Sequence, residues 1–453
     1  MSRIAGRGSS PIQNQRDIFA PLLTDFLNPG HELFQLAEKI PWKQIEAEFT
    51  PYYSQVGQPA EPIRLMVGLL LLKRLYNLGD ETVVAEWVSN PYYQYFCGEA
   101  RFQWRPPCDP SDLVHFRHRI GQEGCEFLFG ISVKLHHPSQ NQTRIVRVDT
   151  SAQEKNITYP TDAKLCYKAA GQLWKIAEAE GVQLRQSYRR TLKQLKRQAW
   201  FGHHPRRAKK ARAALRKMKT RVGRLLRDLE RKLPDDRREA HTPMLELCGK
   251  VIRQQRKDKN KIYSLHEPAV ACIAKGKAGK KYEFGSKVSL AITTNGVIVG
   301  VKNFPGNPHD GDTLAPTLEH MEAILKRRPE LAVVDRGYRG KRRVKTTRII
   351  VPGQDKPKSE WEKRKLRKLC RSRAGIEPII GHVKSDCRMQ RNYLSGQVGD
   401  ELNALLAATG FNLRKLLRQY RKILLSLFSR GFLTGLLPGK PNFFLLSYSL
   451  VNS

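Results

Sequence analysis

Acid is scarce in this chain. Its 453 residues carry 42 Asp and Glu against 81 Lys and Arg, a formal net charge of +39. A folded protein gains nothing from such self-repulsion, so a polyanionic partner is expected, with nucleic acid the first candidate. Long apolar runs are missing as well. The best one, Leu65 to Leu72, is far short of the roughly 20 residues a membrane span needs. An acidic membrane surface is therefore the weaker candidate partner. The opening stretch MSRIAGRGSSPIQNQRD has no apolar core of the kind a signal peptide needs, so a cytoplasmic, nucleoid-associated protein is expected. The eight cysteines form no CxxC pair and have no matching His pair, which argues against a zinc finger. Reduced structural thiols are the expectation. The hydrophobic fraction of 40% is ordinary and supports a sizeable core without disulfides.

Texture divides the chain. Residues 1–29 read as an N-terminal tail and 30–140 as a helical N-terminal DNA-binding domain. Residues 163–262 are a basic helical insertion, and 426–453 an apolar C-terminal tail broken by Gly and Pro. Pro62 opens a helix that Gly79 closes, and DETVVAEWVSN follows as a second helix. A third, SDLVHFRHRIG, buries Leu113, Phe116 and Ile120 on one face and leaves Arg117 and Arg119 off it. Two readings stay open there: a helix-turn-helix-like DNA reader, or a plain bundle with a solvated basic face. In the insertion, Leu215, Met218, Val222, Leu225 and Leu229 make an apolar seam, and TLKQLKRQAW reads alike. HHPRR is the turn of a helical hairpin. Its cations have few acids to pair with, so phosphate contact is favoured over a solvated face.

The rest alternates strands and helices. RIVRVDT is β-rich, and the run from Lys281 to Phe304 is two strands joined at Asn295-Gly296. LAVV and RIIV are buried-type strands, and residues from about 360 to 421 read helical. The expected class is α/β, with a mixed sheet of about five strands. Asp149 and Asp335 each close an apolar strand. A carboxylate there costs desolvation unless it is paired or bound to metal. Two such carboxylates in one sheet can build a divalent-metal site, though a buried-strand Asp often only caps a turn. Arg373, Glu377 and Lys384 stand at i, i+4 and i+11, on one stripe if the segment is a helix. An i, i+4 ion pair beside an unrelated Lys is the plainer alternative. Pro378 means that Glu377 sits at a kink or at the start of a new helix.

DTSAQEKNITYPTDAKL, SLHEPAVACIAKGKAGKKYEFGSKVSL, GNPHDGDTL, VVDRGYRG and RAGIEPIIGHVK occur in this order. Each resembles a signature block of the IS-five group of insertion-sequence DDE transposases, and the resemblance covers about residues 30 to 420. It implies a ribonuclease-H-like catalytic core, formed by 141–162 and 263–425, interrupted by the insertion. It implies Asp149, Asp335 and Glu377 as catalytic acids and metal ligands, and Arg373 and Lys384 as phosphate-binding groups. The family's signature Tyr is Cys370 here, and Asp312 stands where relatives often carry His. Lys287, Arg336 and Arg339 are further phosphate candidates, as are Arg117 and Arg119. The implied cofactor is a pair of Mg²⁺ (or Mn²⁺) ions, with Asp149 touching both. The implied reaction is cleavage at an element's ends followed by attack of the freed 3′-OH on target DNA. The implied partners are the terminal inverted repeats, target DNA and a second protomer. A structure-selective nuclease and a non-catalytic DNA-binding protein remain alternatives.

Overall fold

Residues 145–155 alternate poorly for a half-exposed strand because both faces are covered. In the computed structural model they form the 11-residue strand β1 (Ile145–Lys155), with Val146 and Val148 fully buried. The structure describes residues 4–5, 21–54, 59–255, 257–274, 281–340, 342–355 and 359–434. Most of the 1–29 tail, and the 426–453 tail past Thr434, lie outside these.

Further strands assemble around β1: β2 (Ala271–Ala274), β3 (Tyr282–Thr293), β4 (Ile298–Phe304), β5 (Leu331–Val333), β6 (Arg343–Val344), β7 (Thr347–Ile350) and β8 (Arg391–Asn392). The long path is β4-β3-β1-β5-β7. Strand β3 runs antiparallel to β1 and β4, whereas β1, β5 and β7 are parallel. Strands β2, β6 and β8 are short additions to the expected five-strand sheet. The β3–β4 hairpin turns where Asn-Gly foretold it. Gly296 has φ +79°, and the Thr293 hydroxyl accepts from Val297 N at 3.0 Å. Gly285 on β3 is compulsory, because a Cβ there would lie 1.8 Å from the Gln153 carbonyl oxygen of β1.

Before the sheet come α1 (Glu32–Lys39), α2 (Trp42–Phe49), α3 (Ile63–Leu75), α4 (Asp80–Ser89), α5 (Pro91–Phe96) and α6 (Pro110–Lys134). Asp109 and Asp112 form a capping box at the start of α6. The helix continues past its break at Gly121 (φ +55°). Helices α3 and α6 pack on the last helix, α14 (Gly396–Thr434), which also covers β4. One hydrophobic core therefore runs from Leu33 through the sheet to Leu417, and the segment expected as an N-terminal domain shares it. Arg117 needs a correction. It is buried, and its guanidinium grips Asp80 at 2.7 and 2.9 Å. It therefore has no free face for phosphate. Arg119 is half-buried over the Tyr53 ring.

The insertion forms a second core spanning Leu165 to Leu265. It comprises α7 (Asp162–Ala179), α8 (Arg189–Trp200), α9 (Ala208–Lys232) and α10 (Asp235–Arg253). The expected hairpin is α8–α9. Met218, Val222, Leu225 and Leu229 are buried along its seam, while Arg216, Lys217, Arg224 and Arg227 are exposed. Helices α11 (Asp310–Leu325), α12 (Glu360–Ser372) and α13 (Ile376–Asp386) complete the chain.

Candidate active site

Register brings the first two acids together. Arg147 of β1 lies opposite Val333 of the parallel strand β5. Two residues further on stand Asp149, which lies within β1 and does not close it as expected because the strand runs on to Lys155, and Asp335, just past the end of β5. Asp149 Oδ1 accepts from the next amide, Thr150 N, at 2.8 Å. Asp335 caps a tight turn, its Oδ1 accepting from Gly337 N at 2.8 Å.

The third acid arrives on a helix start. Helix α12 ends at Ser372, residues Arg373–Gly375 make a 3-10 turn, and α13 begins at Ile376. Pro378 thus lies in the first turn of a new helix, where a missing N–H costs nothing. Glu377 sits beside it. Buried Arg147 bolts this junction to the sheet by donating to Ser372 O at 3.0 Å and Thr293 O at 2.6 Å. A Cβ on Gly375 would come within 2.5 Å of the same guanidinium.

Arg373 stands between all three acids. Its Nη2 is 3.3 Å from Asp149 Oδ2 and 3.9 Å from Asp335 Oδ2, and its Nη1 is 3.5 Å from Glu377 Oε1. Its buried Nε has no hydrogen-bond partner. Exposure is graded across the cluster: the side chain of Asp149 is 14% exposed, Asp335 35% and Glu377 68%. Tyr338 is buried beneath. Burial pushes its phenol pKa up, and Asp149, Asp310 and Asp335 push it further, so it stays neutral. Among the described residues, no three His, Cys, Asp or Glu side chains are close enough as they stand to hold one ion. The donor set still fits a hard divalent cation, because three carboxylates already surround one positive group. Such an ion would compete with Arg373 for these oxygens.

The other expected residues scatter. Lys384 shares α13 with Glu377 but lies two turns, about 10 Å, further along it. Its amino group lies 3.7 Å from buried Glu283, on an open cavity of about 760 Å³. Arg388, Arg391, Tyr159, Tyr282 and Tyr393 line the same cavity. Lys287 is buried and donates to Pro308 O at 2.7 Å and Asp310 Oδ1 at 3.0 Å. Arg336 and Arg339 are exposed on the turn after β5. Asp312 is exposed, and Cys370 is half-buried on α12.

Sequence reasoning missed Asp310, Arg147 and the basic surface of α12, though it expected a helix there. Helix α12 buries none of its residues and exposes Lys363, Arg364, Lys365, Arg367, Lys368 and Arg371 just before Arg373. The run KRKLRK, basic but for Leu366, was the available signal.

Comparison with known proteins gives these elements a family. Residues 21–119 match a family model described as a Transposase domain (DUF772), and residues 249–413 match the Transposase DDE domain. The second stretch contains Asp335 and Glu377. An uncharacterized protein, ORF8 in the nfe locus of Rhizobium meliloti, is 41% identical over 191 residues, covering 41% of this chain and 92% of that protein. No solved structure matches. The DDE domain implies a ribonuclease-H-like core and an enzyme that cleaves and transfers DNA. With helices, sheet and both matches in order, the chain belongs to the DDE transposases of insertion-sequence type.

Proposed function

We propose that this transposase binds the terminal inverted repeats of an insertion sequence, cleaves DNA at the element's ends and transfers the 3′-OH ends to target DNA. Asp149, Asp335 and Glu377 are the catalytic acids. The observation that carries this reading is the convergence of three carboxylates, from β1, the end of β5 and the start of α13, on one guanidinium. Carboxylates repel one another, so their convergence is stable only around positive charge.

The three acids would hold divalent metal, Mg²⁺ or Mn²⁺. When bound, that metal supplies electrophilic activation of the scissile phosphate and acidifies a water or 3′-OH nucleophile. The remaining work falls to the chain's own groups. Asp149, least exposed, anchors the acid cluster to the sheet. Glu377, most exposed, closes the cluster on its solvent side. Arg373, released from the acids, takes a phosphate oxygen with its planar fork. Lys384, Arg388 and the tyrosines of the adjoining cavity offer charge and stacking faces to the strand leaving the site. Exposed cations of α9 and α12 neutralise flanking phosphates. Joining two ends in one event calls for a dimer on DNA.

Cleavage of labelled DNA bearing the flanking repeats tests this reading. The native chain cuts at the repeat ends in Mg²⁺ and not in Ca²⁺, and Glu377→Gln binds but does not cut. A Glu377→Gln variant that cuts as well as the native chain removes Glu377 from the site.

A further inference from the structure

Asp310 is a fourth acid beside Asp149 and Asp335. It opens α11, where a negative charge suits the helix dipole, but that explanation does not account for its direction. Asp312, in the same turn, points to water. Asp310 instead turns inward. Its Oδ1 accepts from Thr150 Oγ1 at 2.8 Å and from Lys287 Nζ at 3.0 Å. Its Oδ2 faces the Asp335 turn. A Cβ placed on Gly337 would lie 2.9 Å from Asp310 Oδ2 and 3.0 Å from Asp335 Oδ1, so the two carboxylates flank one Cα.

Each of these partners adjoins a catalytic acid. Thr150 follows Asp149, and its own amide holds Asp149 Oδ1. The amide of Gly337 holds Asp335 Oδ1. Lys287 crosses from β3, where it lies opposite Ala152 of β1, and its second bond, to Pro308 O, fixes the approach to α11. An Asn or Ser would make the Thr150 contact without repelling Asp335. A charged residue that breaks local rules marks a functional demand. Here Lys287 cancels the charge, so the site gains a rigid brace and no net change in its attraction for cations.

We propose that Asp310, paired with Lys287, is a positioning residue of the catalytic centre, bracing Asp149 and Asp335 so that both meet a divalent cation already aligned. The proposal rests on the reading of Asp149, Asp335 and Glu377 as metal ligands. Supporting groups of this kind set metal affinity by about 10- to 100-fold. Replacing Asp310 has a second effect: the Lys287 ammonium loses its partner and competes for the acids.

Calorimetric titration of the full chain with Mn²⁺ alone tests this without reference to activity. Asp149→Asn and Glu377→Gln are the reference variants. Asp310→Asn is expected to bind about tenfold more weakly than the native chain. Asp310→Ala with Lys287→Gln, which removes the brace and leaves no stranded charge, is expected to stay about tenfold weaker; native affinity in this pair assigns the loss to the Lys287 ammonium alone and overturns the brace. Thr150→Val removes one arm of the brace, leaves the charges alone and is expected to weaken binding about threefold; it keeps the test available if Asp310→Asn fails to fold. Native affinity in both Asp310→Asn and Thr150→Val overturns the proposal while the reference variants bind weakly. Native affinity in the reference variants themselves overturns the underlying ligand assignment instead.

Discussion

Arg373 holds the place of a cation, and removing it should separate two of its effects. At an effective dielectric constant of about 20, each of its contacts at 3.3–3.9 Å is worth about 4–5 kcal/mol of gross Coulomb attraction. Most of this does not survive. Glu377 is mostly in water, so its pair contributes at most about 1 kcal/mol. Desolvation of the guanidinium and the two Asp offsets most of the rest. A net contribution of about 2 kcal/mol to the metal-free fold remains. For a chain of this length it corresponds to a melting shift of about 2 °C. Arg373→Gln is therefore expected to melt about 2 °C lower in EDTA. Divalent metal no longer has to displace a cation there, so Mn²⁺ should bind about 30-fold more tightly and raise the melting temperature more than in the native chain. DNA cleavage should fall, because no guanidinium is there to take the phosphate oxygen. Differential scanning calorimetry with and without Mn²⁺ reads both the fold's stability and the metal's contribution to it. Equal melting in EDTA together with equal stabilisation by Mn²⁺ would refute the reasoning.

Three further outcomes are expected. Asp80 faces the buried cations Lys73 and Arg117; burial raises its carboxyl pKa, but those cations overcome this and hold it at about 2. A folded pKa below the unfolded value of 3.8 means that its contribution, about 2 kcal/mol, is present above pH 3.8 and is lost as pH falls towards 2. Asp80→Asn, which strands the cations, should cost about 3–5 kcal/mol in urea unfolding at pH 7 and flatten the acid limb; an unchanged acid limb contradicts the assignment. Removing the exposed charges of Arg216, Lys217, Arg224 and Arg227 together should reduce the slope of log K against log salt on repeat DNA by about 0.9 for each phosphate no longer neutralised, and an unchanged slope takes α9 off the DNA. Gly285→Ala forces β1 and β3 apart and should cost about 3 kcal/mol, with soluble yield and melting temperature as the readouts.

The strands that lead to Asp149 and Asp335 were readable because burial on both faces writes a largely apolar run, broken before Asp149 only by Arg147, and an acid after such a run is conspicuous. The Asn-Gly hairpin and the amphipathic α8–α9 pair were legible for similar local reasons. Arg117 was misread because a helical face is apolar only when its neighbour is. Here the neighbour presents Asp80, and a buried ion pair looks in sequence like a solvated cation. Lys384 was misplaced because a shared helical face does not mean a shared site: seven residues carry it about 10 Å along α13 from Glu377. Asp310 could not be found at all. Its meaning lies in Thr150, Lys287 and Gly337, which are distant in sequence and meet only once the sheet has formed.

The insertion has a kinetic consequence. It leaves the sheet after β1 and returns at β2, yet β1 must pair along its length with β3. As a random chain, the intervening segment would impose a long loop-closure search on that pairing. Because it carries its own core, the four helices can collapse first and draw their two ends together. Each basic helix would thus contribute twice, first by shortening the search that builds the catalytic sheet and afterwards by meeting the DNA.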